Sequence, residues 1–139
     1  MSFWFSSVKN QTINSLRGFK IIQFIYIILF LAPLILGCIL MGAQKKIELI
    51  HSSSGLKKRG FVGYSWTYFF FGFFVPIFRG EIGIGALHLI LSFVTFGIFQ
   101  LIMPFLYNKQ YSTRLLVNGW TLNDTEEINK FAQKKLNIK

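Results

Sequence analysis

From Tyr64 to Tyr107 the chain runs for 44 residues with only two formal charges, Arg79 and Glu81. A helix or strand that faces water needs a polar side along its length, and this segment has none to offer. Lipid is therefore its expected solvent. A second apolar stretch, Ile21 to Ala43, carries no charge over 23 residues. At 1.5 Å per residue, about 20 residues cross a hydrocarbon core roughly 30 Å thick, so this stretch predicts a transmembrane helix. The composition agrees, since 53% hydrophobic and 18% aromatic residues, 17 of them Phe, exceed what one core of a 139-residue soluble domain requires.

The resulting expectation is a mainly α, integral membrane protein in five parts. Residues 1–20 predict an amphipathic N-terminal segment, with Trp4, Phe5, Val8, Ile13, Leu16 and Phe19 on its apolar side and Lys9, Arg17 and Lys20 on the other. Residues 21–43 form the transmembrane helix. In 44–63, Lys46-Ile47-Glu48-Leu49 alternates polar and apolar, Ser52-Ser53-Ser54-Gly55 is turn chemistry, and the chain returns through Leu56 to Val62. That pattern predicts a short β-hairpin, which must lean on another element because two strands alone are marginal in water. Residues 64–107 predict a membrane-embedded helical hairpin joined at Arg79-Gly80-Glu81. Its first arm, Trp66 to Phe78, is 13 residues interrupted by Gly72 and Pro76, and is either re-entrant or a thin crossing. Its second, Ile82 to Tyr107, has 26 residues and predicts a full span ending near Pro104. Residues 108–139 predict C-terminal amphipathic helices, with a stop at Gly119, a cap at Asn123 or Asp124, and Glu126, Glu127, Lys134 and Lys135 matching the macrodipole of the last one.

The net charge of +10 lies almost wholly outside the apolar runs. Such a distribution suits anionic headgroups and a charge-biased topology better than nucleic acid. With three crossings, 4 Lys and Arg fall on the N-terminal side and 11 on the other, which places the β-hairpin and the C-terminus in the cytoplasm. Tyr64, Trp66, Tyr107, Tyr111 and Trp120 would form the aromatic belt at the bilayer boundary. The lone Cys38 allows no intramolecular disulfide and reads as a small apolar residue of the first membrane helix.

Gly63-Tyr64-Ser65-Trp66-Thr67, then Phe69-Phe70-Phe71-Gly72-Phe73-Phe74, Phe78-Arg79-Gly80, and Tyr107-Asn108-Lys109 with Leu115, Leu116 and Gly119 resemble the HrgC-like family of small bacterial membrane proteins. The resemblance covers about residues 61–120. It implies a multi-pass protein of the bacterial inner membrane with a hairpin core, and it carries no catalytic residues over. The segment from Met1 to Ala43 is an addition to the short members of that family.

Five acids and two histidines form none of the usual catalytic constellations, and the glycines of Gly80 to Gly85 lack the preceding strand of a dinucleotide fingerprint. The expected protein is not an enzyme, and no cofactor or metal site is expected. Glu81, Gly85, His88, Ser92 and Thr95 follow one another by 4, 3, 4 and 3 positions and so share one helix face. Small and hydroxyl residues there suit packing against the hairpin partner or another subunit. The alternative is a homo-oligomeric pore of the holin or defence-toxin kind lined by this face, with His88 as its titratable group. Lys57, Lys58 and Arg59 are the candidate contacts to anionic lipid headgroups. The functional expectation is a non-enzymatic inner-membrane protein acting through self-assembly or a membrane-protein partner. Its alternatives are the pore and a basic membrane-surface binder of anionic lipid or nucleic acid.

Overall fold

The computed structural model describes the backbone of residues 2–138 and the side chains of Trp4 and residues 11–138. Residues up to Ile35 form one compact unit and those from Leu36 onward a second. Helix α1 (Ser2–Met41) is continuous, so the amphipathic segment and the membrane segment are one element rather than two. The apolar face expected on Phe5 and Val8, and the opposing Lys9, lie outside the described side chains. From Gln11 to Met41, α1 is long and apolar enough to cross a membrane, and almost none of it is buried within the protein. It is the one such helix among the described residues.

In the second unit the expected hairpin is β1 (Lys45–His51) and β2 (Lys57–Val62), paired antiparallel from Lys45↔Val62 to Ile50↔Lys57. Its predicted need for support is met within the chain. A third strand, β3 (Trp120–Leu122), adds to β1 in the order β2-β1-β3, and helix α6 (Glu126–Leu136) packs Ala132 and Leu136 against Ile47 and Val62. Helix α6 starts at Thr125. Asp124 does not cap it through a helix N–H; its carboxylate instead accepts from the backbone N–H of Glu48 and of Thr125, tying the start of α6 to β1.

The long apolar run is four helices: α2 (Trp66–Phe71), α3 (Phe74–Phe78), α4 (Ile82–Val94) and α5 (Ile98–Val117). The full span expected over Ile82 to Tyr107 is therefore broken. Phe96 (φ 51°) and Gly97 (φ 85°) are both left-handed, and two such residues in succession reverse the chain. The Thr95 hydroxyl closes the reversal by donating to Leu91 O (2.7 Å) and accepting from the Phe99 N–H (3.1 Å). A hydropathy window passes over this turn because nothing in it is charged.

The second arm thus returns antiparallel beside itself, with Glu81 bonded to Arg114 and His88 packed on Phe99. The first arm also folds back, at Gly72, which lies against the Gln100 side chain near the start of α5. Both reversals sit at the same end of the helices. Helix α5 is the common spine: Met103, Pro104, Tyr107, Asn108, Tyr111, Ser112 and Leu115 are its buried face, repeating at one and three positions. The first half of that face packs α2 and α4. Its second half meets the sheet, where Ser112 Oγ donates to Phe61 O (2.7 Å) and accepts from Phe61 N (2.8 Å), covering the open edge of β2. Where the chain leaves α1, a Cβ on Gly37 would collide with the Tyr64 ring, so only glycine lets the two approach.

Ser112→Ala removes both partners of one edge residue at once. It should destabilise the protein by about 1–3 kcal/mol, read as a lower unfolding midpoint in detergent, while Ser112→Thr keeps most of the stability. An unchanged midpoint for the alanine variant would mean the edge is held by something else.

Candidate functional site

Two features stand at the end of the helices away from the reversals: a polar belt, and a basic cleft beside it. The belt is built from three elements. Gln44, just before β1, accepts through Oε1 from Ser65 Oγ (3.4 Å), Thr67 Oγ1 (3.3 Å) and Asn108 Nδ2 (3.1 Å). Asn108 Nδ2 also donates to Gly63 O (3.2 Å), and Asn108 Oδ1 accepts from Arg79 (3.1 Å). The Arg79 guanidinium is stacked among three rings, 4.0 Å from the centroid of Phe61, 4.8 Å from Tyr111 and 5.0 Å from Tyr107. Burial pulls its pKa below the ordinary arginine value, yet the group stays a cation at any pH the protein meets.

Glu81 accepts two bonds from Arg114, each 2.7 Å, and a third from the Tyr107 hydroxyl at 3.2 Å. The fork geometry is the one in which a guanidinium and a carboxylate match best. This bond to Glu81 raises the Arg114 pKa, with burial opposing it.

The face expected over Glu81, Gly85, His88, Ser92 and Thr95 exists on α4, and the chain itself occupies it. A Cβ on Gly85 would strike Ile77 of α3 and lie 3.2 Å from Phe73 O. His88 is 5% exposed, its Nδ1 is 3.0 Å from the Tyr68 hydroxyl, and its ring meets Tyr68, Phe99 and Tyr107 edge-on. Ser92 Oγ is buried without a hydrogen-bond partner among the described residues, and Thr95 serves the helix reversal. Four of the five positions are thus engaged in packing α4 against α2, α3 and α5, or in closing the α4–α5 turn.

Lys57, Lys58 and Arg59 lie on β2, beside the belt. With Arg79 they line a cleft of about 540 Å³ in which Glu48 is the one carboxylate. Among the described residues Lys57 and Arg59 make no ion pair, and the Lys58 ammonium sits 5.8 Å from the centre of the Trp120 ring. Sequence reasoning identified the three β2 cations but not Arg79, Asn108, Gln44 or Arg114. The signal for two of them is the spacing Tyr107, Tyr111, Arg114 and Asn108, Ser112, Leu115, two neighbouring stripes on one helix. Among the described residues no three His, Cys, Asp or Glu side chains are grouped to hold a metal ion.

No family model, curated protein or solved structure matches the chain. Its function rests on the geometry of these two features and on the surface at the opposite end of the helices.

Glu81→Gln leaves Arg114 half-buried without its carboxylate and should cost about 1–3 kcal/mol. The double variant Glu81→Gln/Arg114→Gln should recover part of that loss. A double-mutant cycle on the unfolding midpoint measures the coupling, and additive losses would show that the pair contributes nothing of its own.

Proposed function

We propose that this is a non-enzymatic membrane protein of the bacterial inner membrane that crosses the bilayer once, through α1, and sinks a double helical wedge into one leaflet. Its function is binding at that membrane surface. One observation carries the reading: Phe96, at the α4–α5 reversal, is 96% exposed although its backbone is left-handed, a conformation that costs a bulky residue of order 1 kcal/mol. A strained aromatic held fully outside the fold is a poor water-facing turn and a good lipid anchor. Phe93, Val94 and Ile98 surround it, all strongly exposed, and Phe70, Phe71 and Phe74 are exposed around the Gly72 reversal.

The dimensions fall short of a full crossing. The 13 residues of α4 rise about 20 Å and the stretch from Ile98 to Tyr107 about 15 Å, against a hydrocarbon core of roughly 30 Å. Every backbone group in such a wedge must be satisfied within it, and short helices with self-closed turns meet that condition. The belt of Arg79, Glu81, Asn108 and Arg114 then marks the headgroup level.

Charge supports one crossing. With α1 alone across the membrane, Lys9, Arg17 and Lys20 fall on one side and the other 12 Lys and Arg on the other, a stronger bias than three crossings produce. The sheet, the wedge base and α6 are then cytoplasmic. The resemblance to the HrgC-like family supports the bacterial inner membrane. A second reading, assembly through α1 with another copy or a membrane partner, is favoured by the nearly complete exposure of that helix within the chain. The pore reading draws no such support, because the face offered as its lining packs inside the fold.

Single cysteines in a Cys38→Ser background test the wedge. Membrane-impermeant maleimide added to vesicles should label Lys57→Cys from one side only and Phe96→Cys from neither. Labelling of Phe96→Cys from the side opposite Lys57→Cys would establish a full crossing, and labelling from the same side a water-exposed loop. Either result overturns the wedge. Phe96→Asp should disfavour insertion by about 2.5–3.5 kcal/mol and make the turn labile to added protease.

A further inference from the structure

The basic cleft does not stand alone. A second cleft of about 500 Å³ adjoins it and shares Arg59, Phe61, Phe78 and Arg79 with it. The two differ in chemistry. The first is lined by Lys57, Lys58, Arg59 and Arg79 against the single carboxylate of Glu48. The second has Gln44, Lys46 and Thr67 beside the shared residues and runs on over Trp66, Phe71, Val75 and Phe78, with much more apolar than polar surface. A cationic chamber that opens into an apolar one calls for a ligand with an anionic head and a hydrocarbon tail.

From this geometry we infer a discrete binding site for one anionic phospholipid of the leaflet that holds the wedge. Its phosphate lies among Lys57, Arg59 and Arg79, and an acyl chain follows Phe78, Val75 and Phe71. The inference rests on the wedge reading, which puts the belt at headgroup depth and the apolar cleft in the acyl region.

Three details distinguish a site from diffuse attraction between a basic surface and a charged membrane. Arg79 is immobilised before any ligand arrives, by its stack on Phe61 and its bond to Asn108, and Asn108 takes only one of its five N–H donors. Ordering that side chain therefore costs the ligand nothing further, which is how a preorganised guanidinium gains affinity. Among the described residues Lys57 and Arg59 carry no ion pair that an anion would have to displace, although Glu48 stands across the strand from Arg59. Phe78 is 80% exposed at the junction of the two clefts, a position that water penalises and an acyl chain covers.

The test uses the full chain purified in detergent and reconstituted in nanodiscs of phosphatidylcholine with a minor fraction of phosphatidylglycerol. Native mass spectrometry of the released protein should show one phosphatidylglycerol retained per chain. Lys57→Gln/Arg59→Gln, which removes two charge-assisted contacts, should lower retention by about tenfold or more. Lys130→Gln/Lys134→Gln removes the same charge from α6 and should leave retention unchanged. Phe78→Ser, at an exposed position, should weaken retention without changing the unfolding midpoint.

Equal losses in the two charge variants would show diffuse attraction and overturn the site. Displacement of the lipid by inorganic phosphate at matched concentration would show that the apolar cleft contributes nothing, and would overturn a lipid as the ligand. Maleimide labelling of Phe96→Cys in the same nanodiscs keeps this inference separate from the wedge. A protected Phe96→Cys with no retained lipid refutes the site alone, and a labelled one refutes the wedge on which it stands.

Discussion

The structure of the second unit hangs on α5. A helix with a continuous buried face from Met103 to Leu115 does two jobs that the rest of the chain cannot do without. Its first half gives α2 and α4 a surface on which to fold back. Its second half grips the open edge of β2, where one serine hydroxyl satisfies both the N–H and the C=O of Phe61. The change from lipid-compatible packing to polar recognition happens within one turn, at Tyr107 and Asn108. Because a helix is rigid over this length, the position of the α2–α4 helices relative to the sheet is set at that turn.

The polar belt follows from the same constraint. Where an apolar helical bundle meets a sheet, loop carbonyls and the ends of short helices are left without partners, and burying them unpaired would cost about 1–3 kcal/mol each. Asn108 answers one of these needs by donating to Gly63 O and Ser65 another by accepting from the Tyr68 N–H, while Gln44 Oε1 joins the two side chains. The Glu81–Arg114 fork and the Arg79 stack fix α3 and the start of α4 to α5. The charges that interrupt the long apolar run are thus the clamps at its base. They are also what brings Arg79 next to the three cations of β2, so that a structural requirement leaves a basic cleft beside the belt.

Much of this was legible in the chain. Alternation at Lys46 to Leu49 and the serine turn announced the β-hairpin, and the charge order of Glu126, Glu127, Lys134 and Lys135 announced α6. β3 was not legible, because three residues have no period and Trp120 and Leu122 earn their strand by pairing with β1. Of the five residues expected to share a helix face, Gly85, His88 and Ser92 lie on α4 and Glu81 and Thr95 at its two caps, but spacing cannot say whether such a face meets another chain or its own. Here it meets Ile77, Tyr68 and Phe99.

By itself the sequence determined that the run from Tyr64 to Tyr107 is apolar, with two charges in 44 residues, and that the cations are gathered outside it. Only the tertiary structure decided where the apolar run turns back on itself. Hydropathy is a sum over side chains and is blind to backbone direction, so a left-handed Phe96 followed by Gly97 can turn a chain around inside an unbroken apolar stretch. That reversal breaks the expected 26-residue span into two antiparallel helices. Folding α3 and α4 back along α5 then sets Arg79 beside Lys57 and Arg59, residues about 20 positions away along the chain that no local pattern could have joined.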